Sequence, residues 1–245
     1  MTNFIAVTDL HGVEHDPTAV AAFKRAVALL DPNRKHTRLF LGDLWNFAAI
    51  RRGADEDEKS IRLQEDFKAG LDFLDWYRPS ILLLGNHDQR LWDCVKRERV
   101  RKSGWLAELA SLYVGEFEAA AKKMKIRVFP YDKRKGVCRL GGVAFAHGFG
   151  HGETLTRRMA DAYGTSVFGH GHKIVRNSVI KGGRGVTAYQ IGCLCRDMEY
   201  TRSDLSALRQ QHGFAYGSLD GPRSTIIQAE IIGGKTVVAP ILKVV

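Results

Sequence analysis

Seven side chains able to hold a metal ion fall directly after short apolar runs. Asp9 and His11 follow residues 3–7, Asp43 follows 38–41, and Asn86 follows 80–84. His147 follows Val143–Ala146, and His170 and His172 follow Val167-Phe168. Two aspartates, one asparagine and four histidines offer oxygen and nitrogen donors without a thiolate. That mixture suits Mn²⁺, Fe or Zn²⁺ better than the all-oxygen cage of Ca²⁺. It is too large for one tetrahedral ion and about right for two ions sharing a carboxylate. A single histidine after a strand is ordinarily structural; recurrence at several such positions is what points to a metal. Gly42, Gly85, Gly148, Gly169 and Gly171 lie beside these residues, as tight turns around an ion require.

The elements that must position them read as strands, because each run is short, apolar and followed at once by polar residues. In open α/β sheets ligands gather outside the carboxyl ends of the strands, so several strand ends can deliver side chains to one place. Between the runs, Pro17 opens a helix with a stripe through Ala21, Val27 and Leu30. Residues 51–66 carry four basic and six acidic residues and predict a solvated helix surface, continued by an apolar helical pattern over 67–76. Residues 90–125 predict a basic helical insertion, broken at Ser103-Gly104. Beyond it come β-prone runs at 126–129, 137–140, 143–146, 166–168 and 186–190. Residues 224–232 and 235–245 flank Gly233-Gly234 and predict a terminal hairpin. With no repeat and no linker, the expectation is one domain over 1–245, an α/β half and a β-richer half sharing a core.

The 245 residues carry 37 Lys and Arg against 27 Asp and Glu, a net charge of +10 that favours polyanionic partners. No apolar stretch is long enough for a transmembrane helix, and MTNFIAVTDLHG lacks the basic start of a signal peptide. Cys94, Cys138, Cys193 and Cys195 contain no CxxC pair. The expectation is a cytoplasmic protein without a membrane partner. Cys193 and Cys195, two apart, would share a face if this segment were a strand, and are read as packing.

Asp9-Leu10-His11, Gly42-Asp43, Gly85-Asn86-His87-Asp88, Ala146-His147-Gly148 and Gly169-His170-Gly171-His172 together resemble the ordered motifs of the calcineurin-like metallophosphoesterases. The matching stretch spans residues 9–172 and is similar to the Mre11 and SbcD nucleases, with the compact build of stand-alone, including phage-encoded, members. The resemblance implies an α/β fold, the four-layer αββα sandwich of two mixed sheets flanked by helices; residues 173–245 match no motif, and completing the second sheet is the default expectation for them. It implies two divalent ions, Mn²⁺ foremost, with Fe, Zn²⁺, Ni²⁺ or Mg²⁺ as alternatives. Asp9, His11 and His172 would hold one ion, Asn86, His147 and His170 the other, and Asp43 would bridge them. A bridging hydroxide would attack phosphorus, and His87 would protonate the leaving oxygen or stabilise its charge. The family's Gly-Asp-x-x-Asp motif ends here in Asn46, an amide that orients His87 without raising its pKa as a carboxylate would. Asp88 either compensates for that or pairs with Arg90. A homodimer is the assembly that the nuclease relatives suggest.

Substrate choice must come from the surroundings. Lys96, Arg97, Arg99, Arg101 and Lys102 stand against Glu98 alone, and residues 122–139 carry eight basic residues against Asp132. Trp92, Trp105 and Tyr131 accompany them, read either as stacking faces for unpaired bases or as core. Arg90, Arg97, Arg101 and Arg157 are the candidate substrate contacts, with Arg158 beside them; His151 is read as a loop residue in a glycine-rich stretch. The expectation is a phosphodiesterase or nuclease acting on DNA or RNA. The alternatives are a phosphomonoesterase, a small-nucleotide hydrolase, and last a non-catalytic scaffold. The protein-phosphatase extension Gly-Asp-x-x-Asp-Arg-Gly is not there.

Overall fold

A computed structural model describes residues 2–54, 56–101, 104–196 and 210–239. Two mixed sheets face each other. The first has six strands, β11 (Thr225–Ile231) and β10 (His212–Leu219) lying beside β1-β2-β3-β4 in that order, and the second five in the order β5-β6-β7-β9-β8. In the first, β1 (Thr2–Val7), β2 (Thr37–Phe40), β3 (Ile81–Leu83) and β4 (Arg127–Phe129) run parallel. In the second, β6 (Val143–Ala146), β7 (Ser166–Phe168) and β9 (Arg184–Ile191) run parallel, bordered by antiparallel β5 (Val137–Leu140) and β8 (Ile174–Lys181).

Alternation along the strands builds the layers. Phe4, Ala6, Leu39, Leu41, Ile81 and Leu83 point between the sheets, against Phe145, Val167 and Ile191. Their neighbours Ile5, Val7, Phe40 and Leu82 point outward, under α1 (Pro17–Leu30) and α3 (Leu63–Tyr77), onto Phe23, Phe73, Leu74 and Tyr77. On the far side, Ala146, Phe168 and Ala188 carry Leu155, Met159 and Ala160 of α6 (Leu155–Tyr163). The result is the expected αββα sandwich. Asp16 starts α1 by accepting the N–H groups of Thr18 and Ala19, both at 2.8 Å.

The basic insertion is a helix pair, α4 (Gln89–Arg101) and α5 (Trp105–Lys123), the second starting directly after Gly104. Leu91, Cys94, Ala110, Phe117 and Ala121 seat it on the core. Trp92 is half-buried with its ring 5.7 Å from Phe117, which favours packing, whereas Trp105 is 74% exposed.

Three expectations need correction. Residues 224–232 pair with β10 (His212–Leu219), as β11 (Thr225–Ile231), and not with the residues after Gly233-Gly234; past the turn only an Ile232–Lys235 bridge forms among the described residues. Residues 240–245 of the expected hairpin lie outside the described residues. The C-terminal third does not simply complete the second sheet: β8 and β9 do, but β10 returns to lie antiparallel to β1. The charged stretch 51–66, which includes α2 (Glu56–Ser60), is not all solvated, since Glu58 and Asp66 are buried. Asp66 accepts the N–H groups of Val13 (3.1 Å) and Phe47 (2.7 Å), tying the loop after β1 to the loop after β2.

Candidate metal centre

The loops after β1, β2, β3, β6 and β7 meet at one end of the sandwich, and all seven candidate ligands lie on them. The backbone there is held in an unfavourable form. Asp9, His11, Asp43, His170 and His172 have positive φ, five of the nine non-glycine residues that do so among the described residues. Each such residue costs about 1–2 kcal/mol, and strain of this kind gathers at functional sites. Asp43 carbonyl accepts from Leu10 and His11, Gly42 carbonyl from Asp9, and Asp9 carbonyl from Leu194 (2.9–3.0 Å).

Each aspartate divides its labour between two oxygens. Asp9 Oδ2 accepts from Thr8 Oγ1 (2.7 Å) and the His170 N–H (2.8 Å), while Oδ1 is buried without a hydrogen-bond partner, 3.2 Å from His172 Nε2. Asp43 Oδ1 accepts from the His87 N–H (2.9 Å), while Oδ2 lies 3.2 Å from His147 Nε2 and 3.7 Å from His11 Nε2. Around these oxygens the other donors form two groups. His11 Nε2 and His172 Nε2 are 3.2 Å apart on the Asp9 side. His147 Nε2 lies 3.1 Å from Asn86 Oδ1 and 3.2 Å from His170 Nδ1 on the other. Asp43 Oδ2 touches both groups.

The donor chemistry asks for cations. His147 gives its Nδ1–H to the Leu41 carbonyl at 2.8 Å, so in the neutral ring Nε2 is a lone pair facing Asp43 and Asn86 oxygens. With the ring neutral, acceptors converge on acceptors, and the contact is relieved by positive charge, either a proton on the imidazole or a cation between the groups. The proton equilibria agree. Burial opposes charge on every group, yet Asp43 and Asp9 stay well below the usual carboxylate range because the histidines surround them. Burial likewise disfavours a charged His147 or His172, but the field of the carboxylates, joined for His172 by that of Cys193, pushes them up to about 9 and about 10. His170 is driven down to about 4 by burial and by His147. The residues fit divalent metal ions, with candidate donor groups on both sides of Asp43. Asp9, His11 and His172 would hold one, Asn86, His147 and His170 the other, and Asp43 both.

His87 stands next to this cradle, its ring edge-on to His11 at 4.5 Å. Its Nδ1 lies 2.8 Å from Asn46 Oδ1 and 3.1 Å from the Asn46 carbonyl, as expected for a histidine oriented by the amide. Arg90 donates to that carbonyl at 2.8 Å and lies 3.3 Å from His87 Nε2. Burial holds the His87 pKa well below its ordinary value; Asp43 pulls upward, while His11 and Arg90 push down. Asp88 neither supports His87 nor pairs with Arg90. It is fully buried and accepts the N–H groups of Asp43 (2.9 Å), Trp45 (3.0 Å) and Gly85 (2.8 Å), pinning the β2 loop to the β3 loop. Burial and Asp43 raise its pKa to about 7.

The rim is less as foreseen. His151 is an exposed loop residue whose ring lies 5.1 Å from that of His170. Arg157 is exposed on α6, and it is Arg158 that reaches back to the His151 carbonyl. The side chains of Arg97 and Arg101 lie outside the described residues, as do residues 102–103. Cys195, read as packing, has its Sγ 3.7 Å from His172 Nδ1. The signal that could have found it is its place just beyond the end of β9, the neighbour of β7. All four cysteines are buried thiols outside any disulfide.

Solved structures of similar fold include wild-type Vps29 complexed with Zn²⁺ from Entamoeba histolytica, 14% identical with 96% of each chain covered and a TM-score of 0.48. A novel archaeal phosphodiesterase is 12% identical over 92% of this chain and 99% of its own, with a TM-score of 0.46. The protein TT1561 of Thermus thermophilus is 10% identical over 93% of this chain and 98% of its own, with a TM-score of 0.40. A comparison with curated protein sequences finds no match. No described helix is long and apolar enough to cross a membrane. The stretch that carries every ligand candidate, residues 2–176, matches the family model described as calcineurin-like phosphoesterase, and the chain belongs to that family of metal-dependent phosphoester hydrolases.

Proposed function

We propose that the protein is a phosphodiesterase that uses two divalent ions, Mn²⁺ first among them, to cleave nucleic acid. The observation that carries the two-ion part is Asp43 Oδ2, within 3.2 Å of His147 Nε2 and 3.7 Å of His11 Nε2, so that one oxygen serves both donor groups. When bound, such ions supply Lewis acidity toward a phosphoryl oxygen and make water more acidic. The protein's own residues do the rest. Asn46 keeps the Nδ1–H of His87 occupied, and the low His87 pKa leaves that ring neutral near pH 7. The positive charge beside it then comes from Arg90, whose Nη2 lies 3.3 Å from His87 Nε2. The His87–Arg90 pair is placed to stabilise a leaving oxygen, with Arg90 as the donor. The net charge of +10 supports a polyanionic substrate, as does the exposed run Lys133, Arg134, Lys135.

The test uses protein stripped of metal and reloaded with Mn²⁺. Bis-p-nitrophenyl phosphate and p-nitrophenyl phosphate are compared with labelled single- and double-stranded DNA and RNA. Cleavage of the diester and of a nucleic acid, lost in Asp43→Asn, is the expected result. Monoester hydrolysis alone would move the protein to the phosphatases and leave the basic residues as solvated surface.

A further inference from the structure

Beside the second donor group, three aromatic rings form a chain that the metal chemistry does not use. Tyr131 lies edge-on to His147 at 5.8 Å, Phe149 lies 5.3 Å from Tyr131 with the rings tilted by 30°, and Tyr163 follows 6.0 Å from Phe149. All three are only half-buried. Tyr131 also stands at the foot of a turn between β4 and β5 that presents Lys133, Arg134 and Lys135 to solvent.

That turn is built rigid. Asp132 accepts the N–H groups of Arg134 (2.8 Å) and Lys135 (2.7 Å), and its carbonyl accepts from Gly136 at 2.8 Å. Tyr163 donates its hydroxyl to the Lys133 carbonyl at 2.9 Å, tying the turn to the aromatic chain. A Cβ on Gly136 would sit 2.2 Å from the Pro130 carbonyl oxygen, so the turn cannot be loosened by substitution there without moving the backbone. A preformed surface of this kind binds without the cost of ordering loops. Rings that accept any base by stacking, next to cations spaced along a turn, are the two parts of a site for single-stranded nucleic acid.

The geometry points to a nucleotide subsite on the His147 side of the cradle, in which an unpaired base next to the scissile phosphate stacks on Tyr131 and Phe149 while the strand's phosphates run over Lys133, Arg134 and Lys135. This deepens the nucleic-acid reading and rests on it. A duplex, whose bases are already stacked, gains nothing from these rings.

The experiment compares kcat/KM of the Mn²⁺-loaded enzyme on a single-stranded oligonucleotide and on its abasic counterpart with the same phosphate backbone. The wild type is expected to prefer the base-bearing strand by roughly 10-fold. Tyr131→Leu and Phe149→Leu should each bring that ratio close to one, and Tyr131→Phe, which keeps the ring, should retain it. Equal rates on the two strands, a ratio that survives both leucine variants, or a preference for duplex would overturn the subsite. A second readout does not depend on the aromatic variants folding. Replacing Lys133, Arg134 and Lys135 together by alanine should flatten the dependence of log Kd on log salt by about 2. An unchanged slope overturns the phosphate path. An enzyme that hydrolyses bis-p-nitrophenyl phosphate but neither cuts nor binds any oligonucleotide would refute the nucleic-acid reading itself, and with it this proposal, while leaving the two-ion diesterase standing.

Discussion

The cradle around Asp43 and the rim beside it are two regions built by opposite means. In the cradle the side chains are mostly buried, five backbones are held at positive φ, and each carboxylate spends one oxygen on the protein's own donors. In the rim, Lys133, Arg134, Lys135 and His151 are exposed, and their order comes from a turn and from ring contacts. The difference follows from what each must do. A metal centre tolerates little error in donor position, so it is anchored to strand ends that cannot shift without unpacking the core. A surface for a long flexible substrate needs many weak contacts and can be assembled from loops.

The sharpest way to break this contrast is to remove the group that the two halves of the cradle share. Asp43→Asn is expected to lower kcat by on the order of 10³-fold and to leave fewer than two Mn²⁺ ions per chain by elemental analysis. If both ions stay bound and activity survives, Asp43 is not the bridge.

A milder attack leaves every ligand in place. A Cβ on Gly169 would lie 2.1 Å from Thr8 Oγ1 and 2.3 Å from Asp9 Oδ2, inside the bonds that aim Asp9. Gly169→Ala should lower stability by about 1–3 kcal/mol and weaken Mn²⁺ binding by about 10- to 100-fold. Thermal melting with and without metal separates the two effects. An alanine variant that melts and binds like the wild type would show the cradle to be softer than its packing implies.

How legible was this? The ligand order was, because each donor sits one to four residues past an apolar strand, and those strands are locally encoded. What escaped is set by partners distant in sequence. Gly213 and Gly217 offer no side chain to mark β10 as a strand, and a Cβ there would come within 2.8 Å of the Ala229 carbonyl oxygen and 1.9 Å of that of Thr225. β8 escaped because its side chains face largely into solvent and show no apolar stripe. Gly233-Gly234 suggested a hairpin because turn chemistry is local, while the choice of β10 as the partner of β11 is not. Likewise Cys195 against His172 depends on β9 lying beside β7, which spacing alone does not give.

Cys195 sharpens the comparison, since it belongs to the cradle by position but was not foreseen. The segment carrying it is stitched beneath the metal loops: Leu194 donates to the Asp9 carbonyl at 2.9 Å, and the Leu194 carbonyl accepts from Asp16 at 2.8 Å. With His172 Nε2 turned to Asp9, Nδ1 has the Cys195 sulfur as its partner at 3.7 Å. Such partners fix the ring of a ligating histidine. Cys195→Ala is expected to weaken Mn²⁺ binding about 10-fold, with Cys195→Ser recovering part of the loss. Titration calorimetry that finds both variants unchanged would return Cys195 to the role of packing.

The smallest effect tests the border between the two regions, where His87 of the cradle meets Arg90 of the rim. Asn46 accepts from His87 without adding negative charge, and burial leaves the ring's pKa well below 6.5. A carboxylate in the same place would favour the imidazolium, so Asn46→Asp should raise the His87 pKa by roughly one unit or more. The sign of the kinetic change then depends on which form works. With neutral His87 accepting from Arg90, activity falls as pH drops through the His87 pKa, and the variant's acid limb moves to higher pH. With an imidazolium as the working form, activity would instead fall as pH rises, and the variant would gain activity near pH 7. Profiles of kcat against pH for the two proteins distinguish these outcomes. An acid limb that moves upward in the variant would place the positive charge at the leaving oxygen on Arg90, a residue of the rim completing what the cradle begins.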